Sequence, residues 1–398
     1  MHSARTVINY INIAHFIDHY AMLVFAAAVI VMAPVFGVGY AELLPYATPG
    51  FIAFGAGSLL TGWLGDRWSR RHMMVIFFIG IGFAMIATGL AQTPRQLGVA
   101  LLAIGLFAAI YHPVGTAMLV AHAGKLGREV GVNGVWGNLG VASSALVTGV
   151  VCQYLGWRWA FVLPGLIAIA AGILFAGNVR HADSPSHAAV TGKSAHNMGH
   201  GSKHASRKIL VRILFALAVT IVASSTTFNA LTISLPKLFT ERLSGLTTSP
   251  ALIGAIAAAT YAFGAIAQYI IGHLLDRHSL KSLFLPLALI LAPLLYLGAT
   301  LSGVPLVLVC VGIIIGIFGQ ITVNDAMIGR YTSDEWRARA YAIRYFIGFT
   351  AAGASVGLVA WLHERGGFTL MLQAMAGLCV LVIVGALVFP GKEQVSAR

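Results

Sequence analysis

The sequence predicts an all-α membrane protein, with about twelve transmembrane helices set in two pseudo-symmetric six-helix bundles. Three observations lead there. Of 398 residues, 58% are hydrophobic and 9% charged. Apolar runs of about 20 residues or more follow one another along the chain, each long enough to cross a hydrocarbon core of roughly 30 Å as a helix. A short polar loop pattern after the second run returns after the eighth, at an offset of 210 residues.

So little charge cannot solvate the surface of an ordinary soluble domain. The formal net charge of +13 could suit a nucleic-acid binder, but the basic residues sit in short loops between apolar runs rather than in one cluster. Retention of Lys and Arg on the cytoplasmic side of a membrane accounts for them, and no nucleic-acid partner is expected. Cys152, Cys310 and Cys379 each lie inside an apolar run, away from metal-ligand spacing, and read as packing residues. His15, Asp18 and His19 interrupt the first apolar run, so it is expected to remain as a span rather than be removed as a signal peptide.

Windows of spanning length fall at about 7–31, 45–64, 72–91, 96–121, 130–153 and 158–179, and again at about 209–239, 250–275, 281–301, 305–328, 337–363 and 367–389. With the N-terminus inside, the loops holding Arg67, Arg70, Arg71, Lys125, Arg128, Arg277 and Lys281 face the cytoplasm. Only Arg95, Arg158, Lys237, Arg242 and Arg365 fall outside. The asymmetry predicts a multi-pass protein of a bacterial-type inner (plasma) membrane with both termini cytoplasmic. Lipid around it and a monomeric state are the further expectations.

Residues 180–208 shift to Ser, Gly, Ala, His and Lys and have almost no large apolar side chains, which predicts a cytoplasmic linker between a bundle at 1–179 and one at 209–398. His181, His187, His196, His200 and His204 lie in or beside it. The last three recur every fourth residue and would align on a helix, but Gly192, Gly199 and Gly201 argue against one, so a solvated linker is the expectation.

The repeated loop reads GWLGDRWSRR from Gly62 to Arg71 and GHLLDRHSLK from Gly272 to Lys281. The offset aligns Gly62 with Gly272, Asp66 with Asp276, Arg67 with Arg277 and Ser69 with Ser279. Duplication of a six-helix unit follows. A Gly at the end of a span permits close helix packing, and an Asp just outside the bilayer suits the positive end of another helix. Gly62, Gly65, Asp66, Arg67, Arg71, Gly272, Asp276 and Arg277 are therefore expected to form a conformational latch. Its arginines would pair with acids such as Glu129, Asp334 or Glu335.

These loops resemble the signature of the major facilitator superfamily, and the resemblance covers the whole chain. It implies a fold of two six-helix lobes that rock around a central cavity lined mainly by helices 1, 4, 7 and 10, and a transporter rather than an enzyme. A narrower resemblance lies in NIAHFIDHYAMLVFAAAVIVMAP of the first span and in Ile110 to Gly140, IYHPVGTAMLVAHAGKLGREVGVNGVWGNLG. Both are similar to fosmidomycin-resistance-type exporters, whose fourth helix holds an aromatic-His-Pro motif. Val114 stands where that subgroup carries an acidic residue. The subgroup implies efflux rather than uptake.

An Asp in the middle of a membrane helix costs about 2.5 to 3.5 kcal/mol on insertion scales, so Asp18 should face a cavity or a partner. His15, Asp18 and His19 share one face by their i, i+3, i+4 spacing. His112 on the fourth span reaches a similar depth, and Pro113 should bend that helix. The expected role of Asp18, with His15, His19 and His112, is to bind and release a proton that drives a small organic solute. Two alternatives stay open: a hydrogen-bonded cluster that only joins helices, and a transition-metal or metal-chelate transporter using the same four residues. A transporter-shaped sensor is the rival from another class. No phosphate-binding Gly-Lys-Ser/Thr loop is present, so no nucleotide or other cofactor is expected, and no resident metal. Candidate cavity residues are Tyr111, Pro113, Asn133, Trp136, Asn138, Thr226, Asn229, Asn324, Asp325 and Arg344, with Asp325 and Arg344 expected to pair.

Overall fold

The computed structural model describes residues 4–179, 207–275, 277–331 and 334–389. The linker histidines at 181–204, Asp276, and the side chains of Asp334 and Glu335 lie outside the described residues. Helices α1 (Ala4–Val35), α2 (Tyr40–Arg67), α3 (Arg70–Leu90), α4 (Pro94–His122), α5 (Leu126–Tyr154) and α6 (Trp157–Asn178) form the first bundle. Helices α7 (Arg207–Arg242), α8 (Pro250–Leu275), α9 (Leu280–Gly298) and α10 (Gly303–Tyr331) begin the second. The last helical run, Asp334–Val388, is broken where Gly366 turns extended and Gly367 takes a left-handed φ of +61°. A residue with a Cβ is disfavoured at such a φ, so Gly367 marks the turn between α11 (334–365) and α12 (368–388). Among the described residues the helical runs are consistent with the twelve helices the sequence predicts. Among the described residues, ten stretches are long and apolar enough to cross a membrane, one of them running through α11 and α12 together.

Proline and hydroxyl side chains set the helix starts. Thr93 caps α4 by accepting from Gln96 N at 3.2 Å, with Pro94 in the first turn where its missing donor is harmless. Within the first bundle α1 packs on α5, α2 on α4 and α3 on α6; in the second, α7 packs on α11, α8 on α10 and α9 on α12.

The repeated loop does the same structural work in each bundle. Ser69 accepts from His72 N at 3.0 Å to cap α3, and 210 residues on, Ser279 accepts from Ser282 N at 3.2 Å to cap α9. Arg71 donates to Ala176 O at 2.7 Å and to Val179 O, closing the end of α6. Lys281, at the matching position, donates to Leu387 O at 2.8 Å and Phe389 O at 2.7 Å, closing the end of α12. A cation there satisfies carbonyls that the helix cannot and meets the negative end of the helix dipole.

In this conformation the loop side chains make contacts within their own bundle. Asp66 pairs with Arg70 at 2.7 Å within its own turn, and Arg67 lies over the Trp63 ring at 5.1 Å. Arg277 closes the turn after α8 through its backbone N–H on Leu274 O at 3.1 Å. Glu129 takes Arg5 at 3.4 Å rather than a loop arginine. Gly62 and Gly65 do permit close packing: an added Cβ would stand 3.1 Å from Pro113 Cβ and 2.8 Å from Val114 Cγ2 on α4. Gly272 faces open space, so the same packing reason does not extend to the second copy.

The two bundles meet where α5 crosses α8 and α2 crosses α11. Near the end opposite the basic loops the α5–α8 crossing is tight: Gly254 comes against the carbonyl of Ala145, and Gln153 Oε1 accepts from Ser249 Oγ at 2.6 Å and Ala251 N at 3.1 Å. Toward the basic end Gly127, Gly131 and Gly134 on α5 and Gly272 on α8 have nothing within 4 Å of an added Cβ. The α5–α8 crossing is thus close-packed at the far end, while these glycines at the basic end face open space. At the far end Tyr40 of the first bundle is buried against His363 and Phe368 of the second, with ring centroids 5.1 Å and 6.4 Å away and Lys237 Nζ 5.5 Å from its ring.

Candidate functional site

The polar face of α1 predicted from spacing packs against α4 and α5. His15 Nδ1 lies 2.8 Å from Asn133 O on α5; a carbonyl only accepts, so this nitrogen carries the hydrogen. The neutral ring is then held with its Nε2 lone pair outward, 3.1 Å from His19 Nε2 one turn further along. Tyr111 of α4 stacks on His15 at 4.8 Å and donates its hydroxyl to Asn133 Oδ1 at 3.0 Å. Asn133 Nδ2 donates in turn to Asn12 Oδ1 at 2.9 Å, so both the ring and its support are fixed. The ring fits because α5 has glycine at 137, where an added Cβ would stand 2.6 Å from His15 Cε1 and Nε2.

His112 closes the cluster from α4. Pro113 lacks a backbone donor, and the helix widens there into a single π turn, Tyr111–Gly115. That turn brings His112 Nε2 to 3.5 Å from Asp18 Oδ2 and its ring to 5.5 Å from His15 and 5.7 Å from His19. One ring nitrogen from each of His15, His19 and His112 lies within 4.8 Å of the others. Asp18 has no exposed surface, and neither carboxylate oxygen has a hydrogen-bond partner among the described residues. A buried carboxyl without donors must either hold a proton or have a positive charge beside it, because a bare buried ion costs several kcal/mol.

The other candidate residues separate into groups. Asn138 donates to Gln268 Oε1 on α8 at 2.7 Å, a polar contact between the bundles, and Trp136 is half-buried on the same helix. Asn229 donates to Ser225 O at 2.8 Å and Gly348 O at 3.4 Å, and the Thr226 carbonyl accepts from Ser355 at 3.4 Å, so these two tie α7 to α11. Arg344 Nη1 stands 2.7 Å from Asp325 Oδ1, the pair the sequence suggested. Beside it on α10, Asn324 Oδ1 and Gln320 Nε2 are buried with no hydrogen-bond partner among the described residues.

Sequence reasoning missed Asn12, Gln268 and Gln320. Asn12 lies three residues before His15 on the same helical face, so its spacing was the available signal. Gln268 and Gln320 are single polar residues in apolar runs, and only the docked bundles give them meaning.

A family model described as Major Facilitator Superfamily matches residues 11–247 and 217–398. The chain belongs to the Major Facilitator Superfamily. Its helices of spanning length make it a multi-pass membrane protein. Among curated relatives, this superfamily member is 32% identical over 123 residues to the puromycin resistance protein pur8 of Streptomyces alboniger, covering 30% of this chain and 24% of that one. It is 29% identical over 154 residues to the tetracenomycin C resistance and export protein of Streptomyces glaucescens, covering 37% and 28%. The chain thus spans about a quarter of the length of these relatives. A solved bacterial homologue of the human lysosomal transporter Spinster, inward-facing and occupied, superposes with a TM-score of 0.77 at 13% identity, covering 97% of this chain and 96% of that one; at such identity the likeness is one of fold.

Proposed function

We propose that this superfamily member couples a proton to the movement of a small organic solute out of the cell, by alternating access between two bundles at 1–179 and 209–398. The observation that carries the reading is Asp18, wholly buried, without a hydrogen-bond partner among the described residues, and 3.5 Å from His112 on the helix that bends beside it. A group so placed changes its proton when rocking of the bundles changes its surroundings. With the basic loops on the cytoplasmic side, the close-packed far end is the outer one. The charge asymmetry of the loops supports that orientation in a bacterial plasma membrane, both termini inside. Efflux follows from the resistance and export proteins among the relatives and from the exporter subgroup that the His-Pro stretch of α4 resembles. The chain acts as a monomer, and Asp66, Arg67 and Arg71 with their counterparts Asp276 and Arg277 guide the rocking.

The test is flux in proteoliposomes under an imposed pH gradient, with puromycin and a panel of organic anions as probes. Flux that follows the gradient and disappears in Asp18→Asn supports the proposal. Binding of a probe without flux makes the chain a sensor and ends it, as does full gradient-driven flux in Asp18→Asn.

A further inference from the structure

We infer that His15, His19 and His112, with Asp18 beside them, form a binding site for a divalent transition-metal ion, a second ligand for the cluster proposed above to carry the proton. The inference rests on the reading of this cluster as the transport site.

Three imidazole donors converge from two helices, and the Asp18 carboxylate stands beside one of them, His112. In a four-coordinate site with metal-ligand bonds of about 2.0 to 2.2 Å, neighbouring donor atoms stand about 3.3 Å apart. The His15 and His19 nitrogens are 3.1 Å apart, and the His112 nitrogen and Asp18 oxygen 3.5 Å. The three imidazole donors lie within 4.8 Å of one another, so the set closes by about 1.5 Å through rotation of His19 and His112 toward the fixed His15 ring.

Chemistry distinguishes this set from a hydrogen-bonded cluster. The His15 Nδ1–H is committed to Asn133 O, which leaves Nε2 as a lone pair aimed at His19. That support on the outer nitrogen is the arrangement that orients metal-binding imidazoles. A proton between His15 and His19 satisfies one pair of nitrogens and leaves the two Asp18 oxygens without donors. A divalent cation held by the three imidazoles also gives the Asp18 carboxylate beside His112 a positive partner. Three neutral imidazoles and one carboxylate give the bound site a net charge of +1, and the proton displaced from Asp18 or an imidazole leaves to water. Imidazole with carboxylate suits zinc, cobalt, nickel or ferrous iron over soft cuprous ions. Metal and proton then compete for the same atoms, which is the requirement for exchanging one against the other.

The experiment is a cobalt(II) titration of the detergent-purified full chain, isolated through a histidine-free tag. His181, His187, His196, His200 and His204 are all replaced by Ala, so that the linker contributes nothing. One equivalent of cobalt with the intense visible absorption of a tetrahedral N/O site is expected, displaced by zinc and weakened as pH falls. Asp18→Asn and His19→Ala should each weaken binding more than tenfold. His112→Gln serves as a second variant where His19→Ala does not fold. Absence of the tetrahedral spectrum in the linker-substituted chain, or binding unmoved by all three substitutions, overturns the inference. Failure of the two readings is separable: organic-solute flux that follows the pH gradient without cobalt binding keeps the proton-coupled exporter and removes the metal. Cobalt binding that Asp18→Asn abolishes, without flux of any organic probe, keeps the metal site.

Discussion

The carboxylate of Asp18 on α1 and the imidazole of His112 on α4 face each other at 3.5 Å, and the carboxylate has no exposed surface. The contact spans two helices, one of which is bent by Pro113 immediately beside the imidazole. Any change in that bend alters the distance between acid and base. The helix with the irregular turn is thereby the helix that sets the acid's surroundings.

Asp18→Asn should separate stability from function. The carboxyl has no donors in the structure, so an amide of the same shape loses no hydrogen bond and removes an ionisable group from the bundle interior. The midpoint of thermal unfolding should stay or rise, while gradient-driven flux falls at least tenfold. A clear drop in the midpoint would mean that the carboxylate holds the helices together.

Gly137→Ala should disturb the site without touching any polar group. The new methyl would stand 2.6 Å from the His15 ring, which is clamped by Tyr111 and Asn133 and has nowhere to move. Overpacking of this kind costs about 1 to 3 kcal/mol. Gly134→Ala, in open space one turn earlier, should be neutral or gain up to about 1 kcal/mol from helix propensity. Thermal unfolding of the pair checks the contrast, and equal effects would show that the His15 ring is not held where the structure places it.

How much of this was legible beforehand depends on how local the cause is. His15, Asp18 and His19 are separated by helical spacing alone, so their shared face needed no tertiary information. His112 could be matched in depth because residues count out distance along a span, and Pro113 announced the irregular turn. The Asp325–Arg344 pair followed from the same counting on neighbouring helices. What could not be read were contacts fixed by how helices dock. The aligned Asp and Arg of the repeated loop suggested a latch, but Arg71 reaches the carbonyls of Ala176 and Val179, more than 100 residues away, and its 210-residue counterpart Lys281 reaches Leu387 and Phe389. The alignment showed that the loop matters twice without showing what it touches. Asn138 was legible as a polar residue in α5, while its partner Gln268 depends on the α5–α8 crossing.

Arg71→Ala and Lys281→Ala give a direct test of what that loop does. As caps in separate bundles they should each cost about 1 kcal/mol of stability, and the losses should add in the double variant. As parts of a latch between the bundles they would couple, and the double variant would lose less than the sum while transport slowed. Unfolding of the two single variants and the double variant distinguishes the cases.

For Asp325 and Arg344 the sign of a double substitution is informative. Arg344→Ala leaves a half-buried acid without its 2.7 Å partner and should cost about 1 to 3 kcal/mol, less than a fully buried pair because the Asp325 side chain keeps some contact with solvent. Asp325→Ala with Arg344→Ala removes both charges and should recover most of that loss. If the recovered double variant also transports normally, Arg344 serves only its partner; if it is stable and inactive, Arg344 acts on the solute.

Tyr40 tests the far-end closure. Its ring is buried between His363 and Phe368 of the other bundle, and its hydroxyl has no hydrogen-bond partner among the described residues. The ring holds the bundles together there, and the hydroxyl opposes it, since a buried donor without a partner costs about 1 to 3 kcal/mol. Tyr40→Phe should therefore favour the closed end, and Tyr40→Ala should open it. Loss of about 2 kcal/mol shifts the ratio of closed to open molecules by about 30-fold, since each 1.4 kcal/mol is a factor of ten. Spin labels placed at Gly37 and Arg365, on opposite sides of the closure, report that ratio as a change in distance distribution. Opposite shifts for Phe and Ala are the expected result, because the two substitutions act on different parts of one side chain. A shift in the same direction for both would mean that the hydroxyl, rather than the ring, makes the contact between the bundles.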